Sequence, residues 1–258
     1  MINLLHKLYY LLFSFILFSS IIKAEETPDY DREQNINEQI TRYVFDSDII
    51  ELSNNLEDKF NIISSFNSSD NSILLLHGRG LHPTEPNVIN PLRLDLLEGD
   101  HNIYSLQLPV LEKGKTYNDY YKIFRYSDAR ILSAINHIES KNIIIIGHSC
   151  GAHMLLSFIN NNSIKNISGI IMLGAGAVDK NQNILNDVDL SEHQVPILNI
   201  YGEYDHGSVK AFADDLKIKF LLESNNLLKT IEVKGADHNY EDQTYILIES
   251  VKQWLKSL

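Results

Sequence analysis

Gly147-His148-Ser149-Cys150-Gly151 sets a serine between two glycines. A serine hydroxyl is a weak nucleophile; it attacks a carbonyl when a histidine takes its proton and an acid holds that histidine in the right tautomer. The pentapeptide follows the apolar run Ile143–Ile146 and opens a helical pattern from Ser149 to Asn160. That strand–turn–helix context lifts such a serine onto a sharp turn. Gly147 and Gly151 leave room for the turn, and the helix starting there aims free backbone N–H groups at developing negative charge. His148 reads as structural, because a base must reach the serine from elsewhere. Cys150 is expected to offer its backbone N–H, with its thiol packed.

Sites of this kind that follow a strand–turn–helix serine run in the order Ser, acid, His. Asp205, in Tyr201-Gly202-Glu203-Tyr204-Asp205, follows one apolar run; His238, in Gly235-Ala236-Asp237-His238-Asn239, follows the last. Both are expected on loops at the edge of the sheet where ligands bind in open parallel sheets. His206 and His193 compete for the base, although His206 adjoins Asp205 and sequence neighbours do not easily adopt the geometry. Glu203 and Asp237 compete for the acid, with Glu203 read as turn-forming and Asp237 as orienting the His238 loop. A second oxyanion donor is expected in His77-Gly78-Arg79-Gly80, from the N–H of Arg79 or, as the alternative, of Gly80. The Arg79 side chain reads as a solvated arginine, the other reading being a contact to an acidic substrate group. His82-Pro83 is expected at a pocket rim. No His and carboxylate pair has the spacing of a known metal site, so neither metal nor cofactor is expected.

The elements that must position these residues follow from apolar periodicity. Five runs read as buried strands: Ser72–Leu76, Asn102–Leu106, Asn142–Ile146, Ile167–Leu173 and Ile197–Tyr201, with a shorter one at Lys229–Val233. The continuous isoleucines of the third fit a central parallel strand covered on both faces. Helical patterns run from about Asn118 to Ser140, from Ser149 to Asn160, from Val209 to Leu222 and from Tyr240 to Leu258. Ile49 to Phe66 reads as short edge strands. Alternating strands and helices predict a mostly parallel sheet with helices on both faces. The stretch between Leu173 and Ile197 has room for one short helix, about Asn181 to Leu190, and no cap domain, which predicts an open, shallow site.

A chain of 258 residues with 44% hydrophobic and 22% charged residues suits one globular domain. The formal net charge of -12 repels phosphate backbones, which argues against nucleic acid as a partner. Residues 1–24 read as an export signal: Lys7 precedes the uncharged run Leu8–Ile22, and Ala24 offers a small residue for cleavage. The expected location is therefore periplasmic or secreted, with no transmembrane segment after cleavage; an uncleaved anchor is the alternative. Residues 25–48 are polar and read as a loose leader, leaving 49–258 as the folded domain. Cys150 is the single cysteine, so no intramolecular disulfide forms.

The Gly-x-Ser-x-Gly turn, the early His77-Gly78, the Gly202-to-Asp205 turn and the late Asp237-His238 together resemble the α/β-hydrolase superfamily. More narrowly, the segments His82–Arg93 and Ser105-Leu106-Gln107-Leu108-Pro109 are similar to a bacterial branch catalogued as domain of unknown function 3530, whose members are exported or envelope-associated. Where that branch often has Pro-Gly, this chain has His77-Gly78. The resemblance covers roughly residues 50 to 258 and implies the α/β-hydrolase fold and a Ser-Asp-His hydrolase, without naming a substrate. Three expectations follow. The favoured one is an esterase or thioesterase acting on a small-molecule substrate. A peptidase or amidase would use the same triad, and an envelope binding protein would keep the fold without the chemistry.

Overall fold

The computed structural model describes residues 26–258 apart from Ile164, Asn186 and Asp187. The expected export signal at 1–24 therefore lies outside the described residues. In chain order the elements are α1 (Tyr30–Ile40), β1 (Asp48–Ser53), β2 (Lys59–Ser65), β3 (Asn71–Leu76), α2 (Ile89–Leu96) and β4 (Asn102–Leu106). There follow α3 (Tyr117–Tyr121), α4 (Phe124–His137), β5 (Asn142–His148), α5 (Cys150–Asn161) and β6 (Ile167–Leu173). A 3₁₀ turn at Leu190–Glu192, β7 (Ile197–Gly202), α6 (Gly207–Leu222), β8 (Leu228–Val233) and α7 (Thr244–Leu255) complete the chain.

The eight strands form one sheet in the order β1-β2-β4-β3-β5-β6-β7-β8. The β1–β2 and β2–β4 pairs are antiparallel; from β4 to β8 every pair is parallel. This is the α/β-hydrolase fold. The pleat sorts β5 into two cores. Ile143 and Ile145 face α4, α5 and α6, with Phe158, Leu216 and Phe220, whereas Ile144 and Ile146 face α2 and α7, with Leu92 and Trp254. Both faces are covered, which is why the strand is apolar at every position rather than at alternate ones.

Several elements depart from expectation for identifiable reasons. The single helix expected over 118–140 is two, because Ile123 leaves helical geometry (φ -106°, ψ 8°) while its side chain is fully buried beside Tyr120 and Phe124. Core packing of bulky residues there outweighs their modest helix propensity. α2 carried no expectation as a helix. Its buried Ile89, Leu92 and Leu96 line one face, and the Glu85 carboxylate accepts the N–H groups of Asn87, Val88 and Ile89. The helix expected at 181–190 is absent among the described residues. Asn181 sits at φ 65°, and Asp189 accepts from the Ser191 N–H, so local side-chain turns replace it.

The largest correction concerns the expected leader at 25–48, of which residues 26–48 are described. It is not loose: α1 is capped by Asp29 and carries Asp31 and Glu33 in its first turn, where the helix dipole favours acids. Glu33 is buried, accepting from the Val110 N–H and from Arg130 at 2.9 Å each. Arg130 is fully buried and also grips Asp58 through two 2.7 Å hydrogen bonds. A helix that looks polar in sequence is thus held by a buried charge cluster on the folded domain. Among the described residues, no helix is long and apolar enough to cross a membrane.

One further buried carboxylate makes stability pH-dependent. Asp128, between α4 and α5, accepts from Ser157 and Asn161, while its Oδ1 has no partner. Burial pushes its carboxyl up to about 6 from an ordinary 3.8. A raised carboxyl stabilises the fold while protonated, and that stability is lost as pH rises from about 4 through 6. Asp128→Asn is therefore expected to stabilise the protein by about 1–2 kcal/mol near pH 8. It should leave stability nearly unchanged near pH 4, as measured by urea unfolding at both values.

Candidate functional site

Ser149 sits at the junction of β5 and α5 with φ 54° and ψ -120°, a backbone conformation that costs a non-glycine residue about 1–3 kcal/mol. The neighbouring glycines let this turn form. A Cβ on Gly151 would lie 2.5 Å from the His77 carbonyl oxygen, and one on Gly147 would lie 2.8 Å from Ala152 Cα. These are backbone collisions that no side-chain movement relieves. The strained turn leaves the Ser149 hydroxyl at the C-terminal edge of the parallel strands.

Three distant stretches meet there. His238 Nε2 lies 2.8 Å from Ser149 Oγ, and His238 Nδ1 lies 2.7 Å from Asp205 Oδ1. Asp205 also accepts from the backbone N–H of His206 at 2.8 Å. Burial would push the Asp205 carboxyl up, but hydrogen bonding to His238, the attraction of that ring and backbone donors hold it below the usual carboxylate range. An anionic Asp205 accepts from a proton-bearing Nδ1, the tautomer in which Nε2 can accept from the Ser149 hydroxyl.

Each competing residue has another occupation. Asp237 accepts the N–H groups of Asn239 and Glu241 and so shapes the turn that presents His238. Glu203 accepts from the Gly235 N–H, tying the β7 and β8 turns together. His206 packs its ring 4.8 Å from that of His238, centroid to centroid, yet hydrogen bonding joins His238 to Asp205 and Ser149. Asp205, His206 and His238 place their donor atoms within 4.8 Å of one another, but two of the three are already engaged in this chain of hydrogen bonds. His193 lies on the loop after the 3₁₀ turn, its N–H bonded to the Leu190 carbonyl.

His148 is buried, and burial drives its ring down to about 4, so it is neutral. Its Nε2 lies 3.1 Å from the His238 carbonyl oxygen, anchoring the loop that carries His238. Tyr240 supports the same loop from below, donating its hydroxyl to the Ile200 carbonyl at 2.8 Å. Cys150 is buried, and burial raises its thiol to about 12, leaving it protonated and inert.

The early glycine loop borders the serine. A Cβ on Gly78 would lie 3.5 Å from Ser149 Cβ, in ordinary van der Waals contact, which places the loop directly beside the serine. His77 is buried and neutral, lowered to about 3 by burial; its Nδ1 lies 2.8 Å from the Gly78 carbonyl oxygen while Nε2 accepts from the Leu108 N–H. The Arg79 side chain is not freely solvated: it is 35% exposed at the border of the cleft over Ser149, where Asp179 takes both of its terminal guanidinium nitrogens and also accepts the Tyr117 N–H at 2.7 Å. Hydrogen bonding to Arg79 holds the Asp179 carboxyl below its ordinary value. The segments read as branch-specific are structural: Ser105 donates to the Pro83 carbonyl, and Gln107 and Leu108 buttress His77.

Sequence reasoning missed Asp179 and Gly174. Asp179 gave no signal, since its partner is 100 residues away. Gly174 did give one, in the small residues Gly174-Ala175-Gly176 directly after a strand. It sits at φ 58°, and a Cβ there would lie 2.9 Å from the His238 ring. A cleft of about 420 Å³ opens over Ser149, bordered by Leu81, Tyr117, Val178 and Lys180 among others.

Residues 119–256 match the phospholipase/carboxylesterase family. No curated protein matches the chain. Among solved structures it is similar to the esterase Pf2001 of Pyrococcus furiosus, with 16% identity and a TM-score of 0.64 over 86% of this chain and 93% of that one. A thermophilic esterase from Thermogutta terrifontis shows 12% identity and a TM-score of 0.62 over 82% and 99% of the two chains. The carboxylesterase CesB of Bacillus subtilis shows 13% identity and a TM-score of 0.58 over 88% and 97%. At these identities the likenesses speak for the fold alone. The domain of unknown function 3530 branch stays a resemblance carried by the two segments quoted for it. The family match spans more than half of the sequence, and on that ground the chain belongs to the phospholipase/carboxylesterase family of α/β-hydrolase enzymes.

Proposed function

We propose that this hydrolase cleaves small carboxylic esters or thioesters through an acyl-enzyme on Ser149. The observation that carries the reading is the single imidazole of His238, within hydrogen-bond reach of Ser149 Oγ on one side and Asp205 on the other. In this mechanism His238 Nε2 takes the hydroxyl proton as Oγ bonds to the carbonyl carbon. Negative charge on the former carbonyl oxygen meets the N–H of Cys150, at the start of α5, and the N–H of Arg79 on the adjoining loop. His238 returns its proton to the leaving oxygen or sulfur as that bond breaks. Water, deprotonated by the same ring, then releases the acid.

A cleft of about 420 Å³ falls at the small end of ligand pockets and suits short acyl groups. A fluorophosphonate probe tests the nucleophile: wild type is expected to label, and Ser149→Ala is not. Labelling that persists in the variant would remove Ser149 from this role. A chromogenic panel of short-chain and long-chain esters, thioesters and anilides then reads the substrate class, and preferred cleavage of the anilides would replace the esterase reading with an amidase.

A further inference from the structure

The N-terminal helix reaches the catalytic loop through one side chain. Arg32 Nη2 donates to the Gly80 carbonyl oxygen at 2.8 Å, and Nη1 donates to the Leu111 carbonyl oxygen. The same guanidinium meets the Tyr120 hydroxyl, which accepts the Leu111 N–H at 2.9 Å. Gly80 stands at φ 67°, where the missing Cβ would lie 3.3 Å from both Arg32 and Tyr120. The guanidinium therefore fills the space on one side of the loop's last residue.

The loop His77–Gly80 is thus held at both ends. At its start the Gly78 carbonyl is met by His77 Nδ1 and accepts the Leu81 N–H. At its end the Gly80 carbonyl accepts from Arg32, and between them the Arg79 side chain is drawn to Asp179. The proposed donor, the Arg79 N–H, lies within this span. A glycine at positive φ has a low barrier to reorientation, so a free Gly80 carbonyl would let the neighbouring peptide planes turn. Arg32 is itself held firmly. Asp29 N–H donates to the Val110 carbonyl, Glu33 accepts the Val110 N–H, and Glu33 pairs with Arg130. These three attachments to the domain fix α1 relative to the loop that Arg32 meets.

We propose that Arg32 is a positioning residue for the oxyanion-binding loop, so that α1 is part of the active-site scaffold. This rests on the acyl-enzyme reading, in which the Arg79 N–H receives the developing oxyanion. Arg32 touches no substrate; it acts through Gly80.

Steady-state kinetics on a short-chain p-nitrophenyl ester test this with Arg32→Ala and Arg32→Lys. Arg32→Ala is expected to lower kcat about tenfold to a hundredfold, since displacing a donor costs less than deleting one, and to leave KM within about threefold. Affinity for a trifluoromethyl ketone, whose hemiketal oxyanion occupies the same hole, should fall by the same factor as kcat. Arg32→Lys should recover part of the loss, and millimolar guanidinium should partly restore Arg32→Ala but not wild type. Wild-type kcat and ketone affinity in a folded Arg32→Ala overturn the proposal. So does a rate loss that vanishes on cooling in step with recovered folding, because that is a stability effect alone. If Arg32→Ala does not fold, Arg32→Lys decides by the same two readouts. Ser149→Ala run in parallel separates the two ideas. An active wild type that loses turnover in Ser149→Ala but not in Arg32→Ala removes only the role of Arg32, whereas a wild type inert on every ester overturns the acyl-enzyme reading and this proposal with it.

Discussion

Ser149→Ala is expected to lower kcat for ester hydrolysis by about 10⁶, and His238→Ala by a similar factor, because nucleophile and base act as one unit. Combining the two should cost little more than either alone, which is a sharper check than the size of either loss. Asp205→Asn should cost about 10⁴. An amide at 205 carries no negative charge to stabilise the imidazolium, and where its nitrogen faces His238 Nδ1 it turns the ring's proton towards Ser149 and leaves no lone pair for the hydroxyl. Asp237→Asn keeps a side-chain oxygen for the Asn239 and Glu241 N–H groups and should stay within a fewfold of wild type. Initial rates at saturating ester, with folding checked by circular dichroism, read all five variants, the double included. A harmless Asp205→Asn beside a damaging Asp237→Asn would transfer the acid role to Asp237.

Arg130→Ala is expected to destabilise the protein by about 3–5 kcal/mol in urea unfolding. The guanidinium is fully buried, donates to both oxygens of Asp58, to Glu33 and to the Gln107 carbonyl, and lies against the Phe60 ring. Removing it leaves two carboxylates facing each other without a counter-charge. Burial already pushes the Glu33 carboxyl up even with Arg130 in place. The cost should accordingly shrink when the carboxylates leave as well: Arg130→Met with Glu33→Leu and Asp58→Leu is expected to be more stable than Arg130→Ala. The single variant should also loosen α1, since Glu33 is one of its attachments, and raised amide exchange across Tyr30–Ile40 would report that directly. Equal stability of Arg130→Ala and wild type would mean that the cluster contributes nothing to docking the helix.

Much of the architecture was legible because backbone periodicity and local turn chemistry are short-range. The isoleucine run of β5 marks a strand covered on both faces, and the flanking Gly147 and Gly151 mark a turn too tight for side chains. The order of Ser149, Asp205 and His238, each directly after an apolar run, points all three to one sheet edge from the sequence alone. Where the reading failed, the deciding contact lay far away in sequence. α1 reads as a polar leader because its docking uses buried charge rather than an apolar stripe, and hydrophobic periodicity does not register a salt bridge to a residue 97 positions on. The break at Ile123 and the lost helix before β7 were settled by packing and by side-chain turns that compete with helix propensity.

By itself, then, the sequence determined the sheet, the serine turn and the identity of the three groups that meet there, since each is encoded within about ten residues of local pattern. Tertiary structure alone decided what holds those groups in place: Asp179 on Arg79, His148 on the His238 loop, Glu33 on Arg130 and Arg32 on Gly80. The physical reason is that a side-chain hydrogen bond depends on where two chain segments cross, and a linear pattern carries no record of that crossing.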